Sequence, residues 1–196
     1  MNVLDVICSA RATHAGNRPF VVAIDGLSGA GKTTLVSHLN GESDLLVLHI
    51  DDYIVERAKR YETGQSEPTE YYALQWDVSR LERELFRPLT EGVTKLVLPR
   101  YDQERDVITE QVVDVSSAHT VVVEGIFLQR PEWQPYFDYV IYLDCPREVR
   151  YERVLNRDTY LGNPAERLAK YKRRYWPGED LYLERIDPKN TAHIVL

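Results

Sequence analysis

The stretch GLSGAGKTT at Gly26–Thr34 follows the apolar run FVVAID directly and fits the spacing G-x-x-x-x-G-K-[ST]. A chain carrying it must fold as a strand, a tight glycine loop and a helix in succession, with the strand buried among other strands. The glycines let the backbone curl so that successive N–H groups and the helix start point at a polyphosphate. Gly26, Ser28, Gly29, Ala30, Gly31, Lys32, Thr33 and Thr34 are therefore the expected contacts of a nucleoside triphosphate such as ATP. Lys32 is expected to reach the β- and γ-phosphates, and the Thr33 hydroxyl to bind Mg²⁺. The bland alternative is a glycine turn that only links strand to helix.

Short apolar strands alternate with helices along the rest of the chain. Strands are expected at Phe20–Asp25, Leu45–Ile50, Lys95–Leu98, Val107–Val115, Thr120–Glu124 and Tyr139–Asp144, with a last one in HIVL. Helices are expected at Val3–Thr13, Thr33–Asn40, Asp77–Leu89, from Pro146, and from Pro164 to about Tyr175. This order implies an α/β fold: a doubly wound, mostly parallel sheet with helices on both faces. No repeat or low-complexity linker interrupts the 196 residues, so one domain over 1–196 is expected. The apolar runs FVVAI and LLVL are far too short to span a membrane. Met1–His14 lacks the basic-then-apolar layout of an export signal, and the two cysteines, Cys8 and Cys145, supply no disulfide framework, so a reduced cytoplasmic setting is expected. The five histidines show no metal-ligand spacing.

The net charge of −7 argues against nucleic acid as a partner. It is unevenly spread: Arg147–Arg174 holds nine basic and four acidic residues, leaving the remainder at −12. Such a basic segment suits a small, highly charged anion. Arg150, Arg153 and Arg157 form one helical stripe with no acid three or four positions away. A lid over about 147–176, closing its arginines on phosphates, is the expectation; surface arginines paired with distant acids are the alternative.

All strands of a parallel sheet end along one edge, where ligands bind. Glu124 ends TVVVE, and Asp51 with Asp52 ends LLVLHI, so these acids should face the glycine loop. Phosphoryl transfer needs a metal-directed carboxylate and one that takes a proton from the acceptor; Glu124 suits the first role and Asp51 the second. Asp144 reads better as a helix cap.

From Phe20 to Leu196 the sequence resembles the uridine kinase and nicotinamide riboside kinase group of P-loop small-molecule kinases. IDDYI at Ile50–Ile54 is similar to that group's aspartate–aromatic segment, which implies Asp51 as general base with Tyr53 beside the acceptor. LQWDVSRLERELFRPL resembles the riboside kinase segment that holds the ribose, here through Trp76 and Asp77. VVVEGIF implies Glu124 near metal and substrate, LPRYD implies Tyr101 in a substrate hairpin, and RVLNRD implies Arg153 and Arg157 at the start of the lid. Read physically, Trp76 is equally a core anchor and Asp77 a helix cap. QERD at Gln103–Asp106 replaces the group's base-reading histidine, and EYYA at Glu70–Ala73 replaces another substrate segment. The resemblance thus implies an ATP- and Mg²⁺-dependent kinase of a hydroxylated metabolite, with an acceptor segment over about 51–106. A nucleoside monophosphate kinase, using Arg57, Arg60 and Arg105, and a regulatory nucleotide-binding module stay open, as does a homo-oligomer.

Overall fold

The apolar run at Phe20 becomes the middle strand of a five-stranded sheet in the computed structural model, which describes residues 2–14, 16–39 and 41–196. The strands are β1 (Phe20–Asp25), β2 (Leu45–His49), β3 (Lys95–Asp102), β4 (Val107–Asp114), β5 (Thr120–Gly125), β6 (Tyr139–Tyr142) and β7 (Ile194–Val195). The main sheet runs β2–β5–β1–β6–β7 with every pairing parallel. β3 and β4 form a separate antiparallel hairpin, Lys95 opposite Asp114 and Asp102 opposite Val107.

The helices are α1 (Val3–Arg11), α2 (Lys32–Ser37), α3 (Arg57–Arg60), α4 (Glu67–Leu74), α5 (Val78–Leu81), α6 (Arg87–Thr90), α7 (Arg147–Arg157), α8 (Pro164–Lys170), α9 (Trp176–Ile186) and α10 (Pro188–Thr191). Every residue of β1 and β5 is buried because the sheet is covered on both faces. Val22, Ile24, Val122 and Ile141 pack with Val3 and Ile7 of α1 and Val36 of α2. Val21, Ala23, Val121 and Val123 belong to the opposite core with Tyr72, Leu85, Phe86, Phe127 and Trp133. This is the doubly wound, mostly parallel α/β architecture that the strand and helix order implied.

Several helical stretches differ from the sequence expectation. The helix expected from Asp77 is capped by it, through the Arg80 N–H at 2.9 Å, but passes through a π turn at Glu82–Phe86. The helix from Pro164 does not stop near Tyr175: a second π turn, Tyr171–Tyr175, carries it into α9. Pro177 cannot donate a backbone hydrogen bond, and the wider turn just before it accommodates that loss. α4 was not foreseen; Ser66 caps it and Pro68 sits in its first turn, a start signal hidden in a polar stretch. Asn40, the expected end of the second helix, lies outside the described residues. No described helix is long and apolar enough to cross a membrane.

Candidate active site

The loop between β1 and α2 takes the form its glycines dictate. Gly31, at φ 104°, caps α2 in the left-handed region and has no side chain to occupy the first-turn N–H groups. Gly29, at φ 79°, lies so close to α7 that a Cβ would stand 2.7 Å from the Arg150 carbonyl oxygen. Lys32 is buried, and its Nζ donates to the carbonyls of Gly26 at 2.8 Å and Leu27 at 3.2 Å. Burial pulls the Lys32 ammonium below its ordinary pKa, while Glu124, Asp25, Asp51 and Glu179 oppose the shift. A buried cation held by loop carbonyls beside a helix N-terminus is suited to a polyphosphate.

The β2–β5–β1 neighbourhood brings the acids to that loop. His49 pairs in register with Glu124, which neighbours Ile24. The Thr33 hydroxyl donates to Glu124 Oε1 at 3.3 Å, and His49 Nδ1 lies 2.6 Å from Glu124 Oε2. The Glu124 carboxylate raises the His49 pKa mainly through this hydrogen bond. Thr33 and Glu124 offer two hard oxygen donors side by side, the chemistry Mg²⁺ takes. Among the described residues no cluster of three or more His, Cys, Asp or Glu could hold a metal. A magnesium ion here would depend on phosphate oxygens and water for its remaining ligands. His49 escaped sequence analysis, although its place at the end of β2, two residues before Asp51, was the available signal.

Asp51 stands in a 3₁₀ turn, Ile50–Tyr53, just past β2 and opens into a cleft of about 750 Å³. Desolvation lifts its pKa above the ordinary carboxylate value; Lys32 and Arg157 oppose, while Glu124 and Asp52 add to the rise. Asp52 instead binds Arg100 of β3 at 2.9 Å and ties the hairpin to this edge. Ser28, Asp51, Tyr71, Gln75, Arg157 and Tyr171 are among the residues lining the cleft.

The arginine stripe of α7 is not free of acids, which corrects the sequence expectation. Arg150 is buried, with Nη1 2.9 Å from Glu179 of α9 and 3.2 Å from the Ser28 carbonyl. Arg157 pairs with the adjacent Asp158 at 2.6 Å, and Asp158 also accepts from the Tyr171 hydroxyl. Arg153 donates to the Gly29 carbonyl at 3.1 Å, against the glycine loop itself. Partners one residue away, or on a helix 29 residues later, are invisible to an i±3/i±4 search.

The AAA domain family matches residues 22–170 of the chain. Uridine kinases from Deinococcus deserti and Lactobacillus helveticus are 30% and 26% identical over 151 residues, covering 72% of this chain and 70% and 68% of theirs. A Bacillus stearothermophilus protein described as a possible uridine kinase superposes with a TM-score of 0.80 at 40% identity, covering 98% of this chain and 96% of its own. The chain belongs to the AAA-type P-loop family, in its uridine-kinase-like branch.

The acceptor side is where this P-loop kinase departs from the residues that the resemblance suggested. Trp76 is only 3% exposed, donates from Nε1 to the Ile50 carbonyl at 2.9 Å and meets Phe127 and Trp133 edge-on, so it has no face to offer a sugar. Asp77 is spent as the α5 cap. Tyr53 is buried, its hydroxyl pushed up to about 12 by desolvation. Tyr101 donates to Asp106 at 2.8 Å and receives an Arg60 N–H at 3.3 Å, standing behind the cleft wall. None of these four is among the cleft-lining residues, whereas Arg57, Arg60, Tyr61 and Lys170 are.

Proposed function

We propose that this kinase transfers the γ-phosphoryl group of ATP to a hydroxyl of a small metabolite, a nucleoside or riboside being the first to test. The observation that carries the reading is the shared cleft: Asp51 of the β2 edge and Ser28 of the glycine loop line one cavity of about 750 Å³. A hydroxyl bound there can give its proton to the Asp51 carboxylate as its oxygen bonds to phosphorus and the bond to ADP breaks. The raised pKa of Asp51 makes its carboxylate a better proton acceptor than an unperturbed aspartate. Lys32 holds the phosphate tail in line. Thr33 and Glu124 are the residues that would hold Mg²⁺, which supplies charge neutralisation on the phosphates when bound. Arg153 and Arg157 are placed to follow the loop and the cleft, respectively, as charge develops.

A screen of ADP release with nucleosides, nucleoside monophosphates and other hydroxylated metabolites tests this. Stimulation by a hydroxyl acceptor, lost in Asp51→Asn, is expected. If no acceptor stimulates release, a regulatory nucleotide-binding module is the better reading. Lys32→Ala should weaken Mg–ATP binding by about 10- to 100-fold in calorimetry, since it deletes a charge-assisted contact.

A further inference from the structure

One wall of the cleft carries positive charge for which the phosphate loop has no use. Arg60 lines it at 6% exposure. Its Nε donates to the Val55 carbonyl at 2.8 Å and its Nη2 to the Tyr101 hydroxyl at 3.3 Å. Among the described residues no carboxylate pairs with it; Asp106 is reached only through the Tyr101 hydroxyl. Lys170, from α8, likewise has no acidic partner among the described residues, and its Nζ lies 4.9 Å from the centre of the Tyr61 ring. The Arg60 guanidinium stands 4.9 Å from the same ring and that of Arg174 4.0 Å. Only Arg174 is matched, by Glu70 at 2.8 Å.

These cations gather around Tyr61, on a cleft wall that Lys32 does not line. Lys32 and Arg157 are the cations with the strongest pull on Asp51. Lys170, Arg60 and Arg174 act on Tyr61: burial raises its phenol, but a hydrogen bond with Tyr175 and then these three charges outweigh it and draw the pKa down. A buried guanidinium without a counter-charge is costly, and a neutral acceptor would leave it so. Arg57, also on this wall, adds a further cation whose side chain has no acid partner among the described residues.

We propose that the acceptor carries an acidic group, a phosphate or a carboxylate, seated against Arg60 and Lys170 beside Tyr61, with its reacting hydroxyl at Asp51. This rests on the kinase reading above and narrows it: the substrate is an anionic hydroxy compound, and the charge is a recognition handle distinct from the reacting oxygen.

The test compares matched acceptors in ATP-dependent ADP release: ribose with ribose 5-phosphate, uridine with uridine monophosphate, and glycerol with glycerate. The anionic member of at least one pair should be preferred by tenfold or more in kcat/KM, the sugar phosphate and glycerate arms telling phosphate from carboxylate. Phosphorus NMR should show a new phosphate ester. Lys170→Gln should raise KM for the preferred anion by about 10- to 100-fold and shrink its advantage over the neutral partner by the same factor. Arg60→Gln should act in the same direction; Lys170, half-exposed, keeps the test independent of whether that buried variant folds. Absence of an anionic preference in all three pairs, an unchanged preference in Lys170→Gln, or a pyrophosphate product overturns the proposal. Release that no acceptor stimulates overturns the kinase reading first, and this inference with it.

Discussion

Glu179 accepts the backbone N–H of Ser28 at 2.9 Å, so a carboxylate on α9 holds the glycine loop from 151 residues away in the chain. Its other oxygen meets Arg150 at 2.9 Å, and both side chains are at most 5% exposed. Burial raises the Glu179 pKa, and Arg150 works against the rise. Removing one partner of such a pair strands the other charge. Glu179→Ala is expected to destabilise the protein by about 3–5 kcal/mol in urea unfolding and to weaken ATP binding as Ser28 loses its anchor. Arg150→Met combined with Glu179→Leu should recover much of the stability and none of the binding.

Asp51→Asn should separate activity from stability. Turnover is expected to fall by roughly 10²–10⁴-fold while ATP still binds, because the substitution removes the proposed proton acceptor alone. The folded pKa of Asp51 lies above the ordinary value, so ionisation costs the folded state, and that cost grows as pH rises from the ordinary value through the folded one. Asp51 is open to solvent at the cleft, which keeps this effect small, so at pH 7 the asparagine variant should melt at or slightly above the parent. In the parent, kcat/KM should fall on acidification through the raised pKa, and this limb should be absent in the variant. A melting point lowered by the substitution would contradict the desolvation argument.

The sheet was legible in the sequence because it is buried on both faces: FVVAI and TVVVE need no polar alternation, and β1 runs over the expected Phe20–Asp25. The glycine loop was legible because backbone geometry restricts its residues. The cationic wall of the cleft was legible only in part: Arg57 and Arg60 stood out in the sequence, but their meeting with Lys170 did not. Arg60 and Lys170 come from short helices over 100 residues apart and meet only across Tyr61. Glu70, in a segment set aside as a departure from the family pattern, matches Arg174 rather than a ligand. Local spacing reads the contacts of one helix or strand, whereas these depend on how the α3–α4 region docks against α8 and α9.

His49 offers a direct view of the Glu124 carboxylate. Its hydrogen bond to Glu124 holds the imidazolium above the ordinary histidine value, so the pair's stabilisation is complete below that value and fades as pH rises through the folded pKa. The imidazole is 42% exposed, which keeps the effect on unfolding small. NMR titration in magnesium-free buffer should place the His49 midpoint above 6.5, and Glu124→Gln should lower it. A midpoint that ignores Glu124→Gln would mean that the contact does not persist in solution.

Trp76 distinguishes a core role from a sugar-holding one. Its indole N–H satisfies the carbonyl of Ile50, the residue before Asp51, and its ring packs on Phe127 and Trp133 at 6.2 and 5.9 Å. Trp76→Phe removes the donor and part of the ring, leaving a buried carbonyl unpaired and a void, a loss of about 2–4 kcal/mol. The turn carrying Asp51 loses its tether at the same time, so kcat should drop while KM for the acceptor stays within about twofold, since Trp76 presents no surface to the cleft. A rise of tenfold or more in acceptor KM with unfolding unchanged would put the indole against the substrate and reverse the assignment.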